Sequence, residues 1–112
     1  MKFSPDLYPM DAEQAVISCV IVNNDLWPEV AESLNKNDFC SKNYQILFEM
    51  MRFLSSKNDP IDKITLVNLL KKSYNLNDTN NTDFIKALIK NAPNSANIKT
   101  YIKNFLSQLL KV

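Results

Sequence analysis

The chain has 112 residues, of which 46% are hydrophobic, and a formal net charge of +1 at pH 7. This composition suits one domain that buries its own apolar core without disulfides or metals. The chain contains no glycine and no histidine, which excludes glycine-rich phosphate-binding loops and the common histidine-based catalytic and zinc sites. We therefore expect no catalytic, cofactor-binding or metal site in these residues.

The first predicted helix begins within the stretch PMDAEQAVISCVIVNN, Pro9 to Asn24. Asp11 is suited to cap its first turn, Gln14 can reach back to the cap, and Glu13 favours the positive end of the helix dipole. Apolar residues then cover most of the circumference, which is typical of a helix packed on several sides. We expect this helix in the middle of the domain, with Asp11 and Glu13 at its exposed start.

Two further helices are predicted after short polar turns. The segment LWPEVAESL favours a short helix because Pro28 is tolerated in a first turn, and Trp27 is expected to anchor that corner. The segment SKNYQILFEMMRFLSSKN follows, with Ser41 as its cap. Its main apolar stripe contains Tyr44, Leu47, Phe48, Met51 and Leu54, and an offset stripe contains Ile46, Met50 and Phe53. We expect most of this surface in the core, the alternative being that part of it faces a partner.

The fourth predicted helix is ITLVNLLKK, with Asp62 as its cap. Its apolar face contains Leu66, Leu69 and Leu70, and either Ile64 or Val67 lies beside them. The polar segment SYNLNDTNN that follows is rich in turn-forming residues and predicts a mobile loop.

The last two predicted helices are separated by a break at Pro93. The segment TDFIKALIKN favours a short helix that starts near Thr82 or Asp83. The final helix carries a long apolar stripe, of which we expect only the end, around Leu109 and Leu110, to be left for a partner. That stripe contains Ile98, Tyr101, Ile102, Phe105, Leu106 and Leu109. Because no alternating strand pattern or internal repeat occurs, the sequence predicts an all-α fold, a compact globular domain of about six helices.

Charge is divided unevenly along the chain, since residues 1–56 carry a net charge of −4 and residues 57–112 a net charge of +5. Such halves suit complementary surfaces of neighbouring subunits or the steering of a partner. Nucleic-acid binding is the rival interpretation, but Arg52 is the only arginine and the lysines are spread over several helices. We therefore expect DNA to bind only weakly or indirectly.

The cysteines and the start of the chain point to an intracellular protein. Cys19 lies in an apolar helix and Cys40 stands alone, so both are expected to be reduced thiols. Residues 1–8 contain no apolar segment typical of a signal peptide and are expected to form a flexible tail. No apolar run is long enough to cross a membrane. These features favour a cytoplasmic location without membrane contact.

Four short motifs occur in an order and at spacings that resemble the N-terminal domain of the bacterial DnaB-type replicative DNA helicase. The resemblance runs from about Pro9 to the end, which implies one domain over residues 1–112. Ser18, Asn43 and the TNNTDF segment depart from the family pattern. The four motifs are AEQAV (Ala12 to Val16), DF (Asp38-Phe39), PID-x-ITL (Pro60 to Leu66) and SANI (Ser95 to Ile98).

This resemblance implies a DnaB N-terminal-domain-like fold and a non-catalytic role in DNA replication. In such helicases the N-terminal heads form a collar that helps to arrange six subunits into a ring and recruits primase and, in some systems, loader proteins. ATP and Mg²⁺ belong to a separate motor that these residues do not contain. The parent protein is thus expected to be an ATP-dependent DNA helicase.

The resemblance also implies a docking surface around the start of the first helix and around Phe84. Together with the end of the last helix, this makes Asp11, Glu13, Phe84, Leu109 and Leu110 the candidate partner-binding residues. Two alternatives stay open: a stand-alone helical adaptor or nucleic-acid-binding module, and a helicase-binding domain of primase. The AEQAV and PID-x-ITL motifs favour the helicase over the primase domain.

Overall fold

The computed structural model describes residues 10–74 and 79–109 of the chain. Within these ranges all regular structure is helical, so the predicted all-α fold of about six helices is confirmed. The predicted tail at residues 1–8 lies outside the described residues. The helices are α1 (Met10–Val22), α2 (Trp27–Ser33), α3 (Lys42–Ser56), α4 (Lys63–Tyr74), α5 (Thr79–Lys90) and α6 (Ile98–Leu109). Single 3-10 turns occur at Asn24–Leu26, Lys36–Asp38 and Ser95–Asn97.

Helix α1 lies at the centre of the core, where it packs against α3, α5 and α6. Val16, Ile17, Cys19 and Val20 have no exposed surface. Residues at these neighbouring positions point to different sides of a helix, so α1 is enclosed from several directions. The prediction of a central, many-sided helix is confirmed.

The start of α1 differs from the predicted one. Met10 is already helical, so Asp11 is an internal residue of the first turn rather than the cap before it. The side chain of Asp11 lies outside the described part of the chain. A cap prediction uses only local hydrogen-bonding preference, and such preferences place a helix end to within one or two residues.

The starts of α3 and α4 are set by the side chains that the sequence indicated. The Ser41 hydroxyl accepts from the backbone N–H of Tyr44 at 3.5 Å. The Asp62 carboxylate accepts from the Thr65 N–H at 2.9 Å, while the Thr65 hydroxyl accepts from the Asp62 N–H at 3.0 Å. These bonds satisfy N–H groups that have no partner inside their helix.

The predicted loop between α4 and α5 is too long at both ends. Helix α4 continues through Tyr74 and α5 begins at Thr79, before the predicted start at Thr82 or Asp83. Serine and asparagine disfavour a helix by less than about 1 kcal/mol per residue. Because α4 and α5 pack against each other, tertiary contacts outweigh that preference. Residues 75–78 of the predicted loop lie outside the described ranges.

Aromatic side chains join three of the helices in the core. Trp27 at the start of α2 is 7% exposed, and its ring centroid lies 5.2 Å from that of Phe48 on α3. The ring of Phe39 lies 5.2 Å from Phe48 and 5.0 Å from Phe105 on α6. Tilted and edge-on pairs at such distances are favourable arrangements of aromatic rings. The prediction that Trp27 anchors this corner is confirmed.

Asn24 fastens the end of α1 to the segment before α4. Its side-chain amide donates to the carbonyls of Val20 at 2.9 Å and Ile61 at 2.8 Å. Its side-chain oxygen accepts from the Ile61 N–H at 2.7 Å. The Asn24 side chain therefore donates to and accepts from Ile61 as a backbone peptide group would, and it links segments that are distant in sequence.

The apolar stripes of α3 and α4 are mostly buried. All five residues of the main α3 stripe are in the core, whereas Phe53 of the offset stripe is 46% exposed. On α4, Leu66 and Leu70 are buried, Val67 is half-buried beside them and Ile64 is 67% exposed. Val67 rather than Ile64 therefore lies beside the buried face of α4. No helix in the described part of the chain is long and apolar enough to span a membrane.

Candidate partner-binding surfaces

Glu13 is a buried structural residue rather than part of an exposed helix start. It has no exposed surface, and its carboxylate accepts from the backbone N–H groups of Cys40 at 3.0 Å and Ser41 at 3.2 Å. The expectation of an exposed Glu13 is wrong because this position lies on the same helical face as the buried Val16, Ile17 and Val20. Since Cys40 and Ser41 immediately precede α3, the negative charge lies at the positive end of that helix.

The thiol of Cys40 is coupled to this buried carboxylate. Partial burial raises the pKa of Cys40, and the charge of Glu13 and a hydrogen bond to it raise that pKa further. Burial also raises the pKa of Cys19, whose sulfur lies 3.9 Å from the carbonyl oxygen of Pro93. Both cysteines are free thiols, Cys19 buried and Cys40 exposed. A raised pKa lowers the thiolate fraction and hence the reactivity at neutral pH.

Phe84 is half-buried and pairs with an aromatic ring of another helix. Its ring stacks on Tyr44 of α3, with the centroids 5.9 Å apart and an angle of 25° between the planes. The pair therefore links α5 to the first turn of α3. Part of the Phe84 side chain remains accessible, and its contact with a partner stays a prediction.

An open groove of about 500 Å³ runs between the start of α1, the segment after α5 and the second half of α6. The oxygen of the Gln108 side-chain amide is buried without a hydrogen-bond partner among the described residues. Sequence reasoning missed this groove, although the small Ala12 and Ala15 next to amide side chains are a weak signal. Its lining consists of Ala12, Gln14, Ala15, Asn91, Pro93, Tyr101, Asn104, Ser107 and Gln108. We call it the α1–α6 groove.

The groove lies between the start of α1 and the end of α6, the two helix ends that the sequence indicated for partner binding. Its lining includes Ala12 and Gln108, the direct neighbours of Asp11 and Leu109. Leu109 is half-buried against the core, and Leu110 lies outside the described part of the chain. Leu106, which was expected in the inward stripe, is 37% exposed. Phe84 does not line this groove.

Arg52 is the second feature that sequence reasoning missed. Its guanidinium carbon lies 5.3 Å from the ring centroid of Phe48 and 5.7 Å from that of Trp27. Contact with aromatic faces stabilises a guanidinium and orients its planar fork. The only signal in the sequence was the helical spacing of Phe48 and Arg52, which puts both on one face of the predicted helix. Within the described ranges, no group of three or more cysteine, aspartate or glutamate residues is arranged to hold a metal ion.

The chain is similar to known proteins over most of its length. The family described as DnaB-like helicase N terminal domain matches residues 6–105. The replicative DNA helicase DnaB of Buchnera aphidicola subsp. Baizongia pistaciae is 35% identical over 92 residues, which are 82% of this chain and 20% of that protein. The replicative DNA helicase DnaB of Haemophilus influenzae is 30% identical over 107 residues, which are 91% of this chain and 23% of that protein. The chain thus spans less than a quarter of the length of these relatives.

The fold is similar to a solved structure as well. The crystal structure of the N-terminal domain of DnaB helicase from Mycobacterium tuberculosis matches with a TM-score of 0.82 and 24% sequence identity. The match covers 91% of this chain and 73% of that one. The six-helix arrangement is therefore shared with that domain.

Proposed function

The chain belongs to the DnaB-like helicase N-terminal domain family, and from this membership we propose that it forms the collar domain of a replicative DNA helicase. In this role it is a non-catalytic module that helps subunits to assemble and recruits primase or a helicase loader. The parent protein would be an ATP-dependent DNA helicase acting in DNA replication in the cytoplasm. The observation that carries the proposal is the family match over residues 6–105.

The surface around the α1–α6 groove supports a docking role. The groove is open to solvent and combines small side chains with several side-chain amides and the hydroxyl-bearing Tyr101 and Ser107. The buried, unpaired amide oxygen of Gln108 is a polar atom that an incoming donor would satisfy. Leu109, next to Gln108 in the chain, is half-buried and adds some apolar surface at the end of the same helix. A mixed polar and apolar surface of this kind is common in non-obligate interfaces.

The test is a titration of the isotope-labelled chain with primase from the same genome, followed by NMR. We expect shifts of backbone signals at the start of α1 and the end of α6, and weaker binding for Leu109→Ser. Ile64→Ser is the matched control, because Ile64 is an apolar residue that is 67% exposed on α4, away from the groove. The absence of shifts with both primase and loader at concentrations well above micromolar would contradict the docking role.

A further inference from the structure

Two adjacent depressions lie on the outer side of α3. The larger one, of about 590 Å³, lies between the Lys36–Asp38 turn and the second half of α3. The smaller one, of about 160 Å³, lies over the first half of α3. Lys36 and Glu49 line both, so the depressions are adjacent and share these two side chains. We call this surface the α3 trough, and it is lined by Ala31, Asn35, Lys36, Asn37, Asp38, Lys42, Gln45, Ile46, Glu49 and Arg52.

Among the described residues, Arg52 at one end of the trough contacts aromatic rings rather than a carboxylate. The rings of Phe48 and Trp27 contact the guanidinium, and Trp27 is itself buried. Within the described part of the chain, Arg52 forms no ion pair with a carboxylate. Its N–H donors are therefore available, while the two ring contacts favour one position of this exposed side chain. A guanidinium restrained in this way loses less side-chain entropy when it binds a carboxylate through two parallel hydrogen bonds.

The remaining charges of the trough define what fits it. Lys42 lies ten residues before Arg52 on the same helix, so the two cations are about 15 Å apart along its axis. Lys36 lies between the two depressions. Asp38 is engaged locally, since its carboxylate accepts from the Asn35 N–H at 2.8 Å. The half-buried Ile46 offers an apolar contact on the floor. We propose that the α3 trough binds an acidic segment of a partner protein, with Arg52 gripping one carboxylate and Lys42 or Lys36 pairing with a second.

The carboxylates in the trough argue for a protein partner rather than nucleic acid. Glu49 lies between the two cationic ends, and Asp38 lies beside it. A continuous line of phosphates would meet both negative charges, whereas a peptide can place a backbone N–H or a cationic side chain opposite Glu49. The excess lysines of this chain lie elsewhere, on α4 to α6. Arginine is also one of the residues enriched among the dominant contacts of protein interfaces.

This inference deepens the docking part of the proposed function, on which it rests only for the idea that the partner is a protein. It concerns a different surface from the α1–α6 groove, because the two linings share no residue. The experiment on the α3 trough can therefore give a negative result while the experiments on collar assembly and primase docking give positive ones, and the reverse can also occur.

The test uses a blocked synthetic peptide with two glutamates about four residues apart, which spans roughly 13 Å when extended, and a leucine between them. NMR titration of the labelled chain should shift the backbone signals around Lys36, Glu49 and Arg52. Arg52→Lys keeps the charge but removes the fork, and should weaken binding about tenfold or more. Lys71→Gln, which removes an exposed charge from α4, should leave the affinity unchanged, and a peptide with glutamines in place of the glutamates should not bind.

Three results would overturn the inference. The first is equal affinity of the peptide for Arg52→Lys and for Lys71→Gln. The second is binding of an oligothymidylate to the same signals as tightly as the peptide, which would make the trough a nucleic-acid site. The third is a shift of the trough signals with chain concentration alone, which would make the occupant a second copy. If Arg52→Lys loses its cooperative thermal unfolding, the exposed Lys36→Gln and Lys42→Gln variants replace it, because neither residue contacts the rings.

Discussion

At the scale of single residues, the buried polar groups affect stability according to whether they have hydrogen-bond partners. Glu13 is buried but satisfied by two backbone N–H groups, so it stabilises the start of α3. Ser18 is buried in the same helix, and its hydroxyl has no hydrogen-bond partner among the described residues. The two residues lie about one and a half turns apart in α1. The satisfied Glu13 stabilises the fold, whereas the unsatisfied hydroxyl of Ser18 destabilises it.

The Cys40 thiol should ionise at a higher pH than an ordinary thiol, whose pKa is about 8.5. Burial and the Glu13 carboxylate raise the pKa of Cys40, so the protonated form is favoured and alkylation by iodoacetamide at pH 7 should be slow. The pH at which the rate rises should move down in Glu13→Gln, because the negative charge is removed. Rates measured by mass spectrometry at several pH values check this.

The unfolded chain in urea is the control for Cys40, since both thiols should then react at the ordinary rate. Cys19 should stay unmodified in the folded chain because it has no exposed surface. An unchanged pH profile in Glu13→Gln, with folding verified by circular dichroism, would contradict the coupling.

Ser18→Ala should stabilise the domain. Leaving a buried hydroxyl unsatisfied costs about 1–3 kcal/mol, and alanine removes this cost with almost no change in volume. We expect the free energy of unfolding to rise by about 0.5–2 kcal/mol, measured by urea denaturation. Ser33→Ala, at an exposed serine whose hydroxyl bonds to the Glu29 carbonyl, should change the free energy by less than about 0.5 kcal/mol. A destabilised Ser18→Ala would mean that the hydroxyl has a partner.

At the scale of the helices, α1 organises the domain and the connections hold the other helices to it. The end of α1 is fastened to the segment before α4 by the three hydrogen bonds of Asn24. The start of α1 is fastened to the segment before α3 by Glu13. Both connections use a side chain to satisfy backbone groups that have no partner within their own helix or lie outside regular helices.

Asn24→Ala should loosen the junction between α1 and α4. The change leaves the N–H and carbonyl of Ile61 without their side-chain partner, which should lower the free energy of unfolding by about 2 kcal/mol. Urea denaturation measures the loss, and faster amide hydrogen exchange at Ile61 locates it. Asn23→Ala is the neighbouring control, because the Asn23 side chain only accepts from the exposed Asp25 N–H. Equal losses in the two variants would refute this role of Asn24.

At the scale of the whole molecule, most of the apolar stripe of α6 is buried inside the domain. Ile98, Ile102 and Phe105 are buried, while Leu106 is 37% exposed and Leu109 half-buried. Little apolar surface on this helix is thus left for a second copy. Charge is also uneven along the chain, since residues 57–112, which include α4 to α6, carry a net charge of +5.

The isolated chain should be a monomer or a weak dimer that dissociates at micromolar concentrations. An interface well below about 1,200 Å² is in the range of transient contacts, and the exposed part of α6 is not expected to exceed it. Sedimentation velocity across a concentration series measures this, and Leu109→Ser should weaken any dimer further. A dimer or hexamer that persists at nanomolar concentration would show that these residues already contain the main assembly interface.

The sequence by itself determined the helices and most of their boundaries. Ser41 and Asp62 cap their helices, Pro28 lies in a first turn and Pro93 lies beyond the end of α5. The inward stripes of α3 and α6 also follow from spacing, because helical geometry alone puts residues three and four apart on one face. These features depend on contacts between near neighbours in the chain, which a sequence displays directly.

Only the tertiary structure decided which polar and charged residues face the core, the solvent or each other. Glu13 meets Cys40 27 residues away, and the guanidinium of Arg52 rests on the ring of Trp27. Spacing carries no information about such pairs, because they form only when the core has closed and brought separate helices together. The α1–α6 groove and the α3 trough have the same origin, since each is the space that packed helices leave between them.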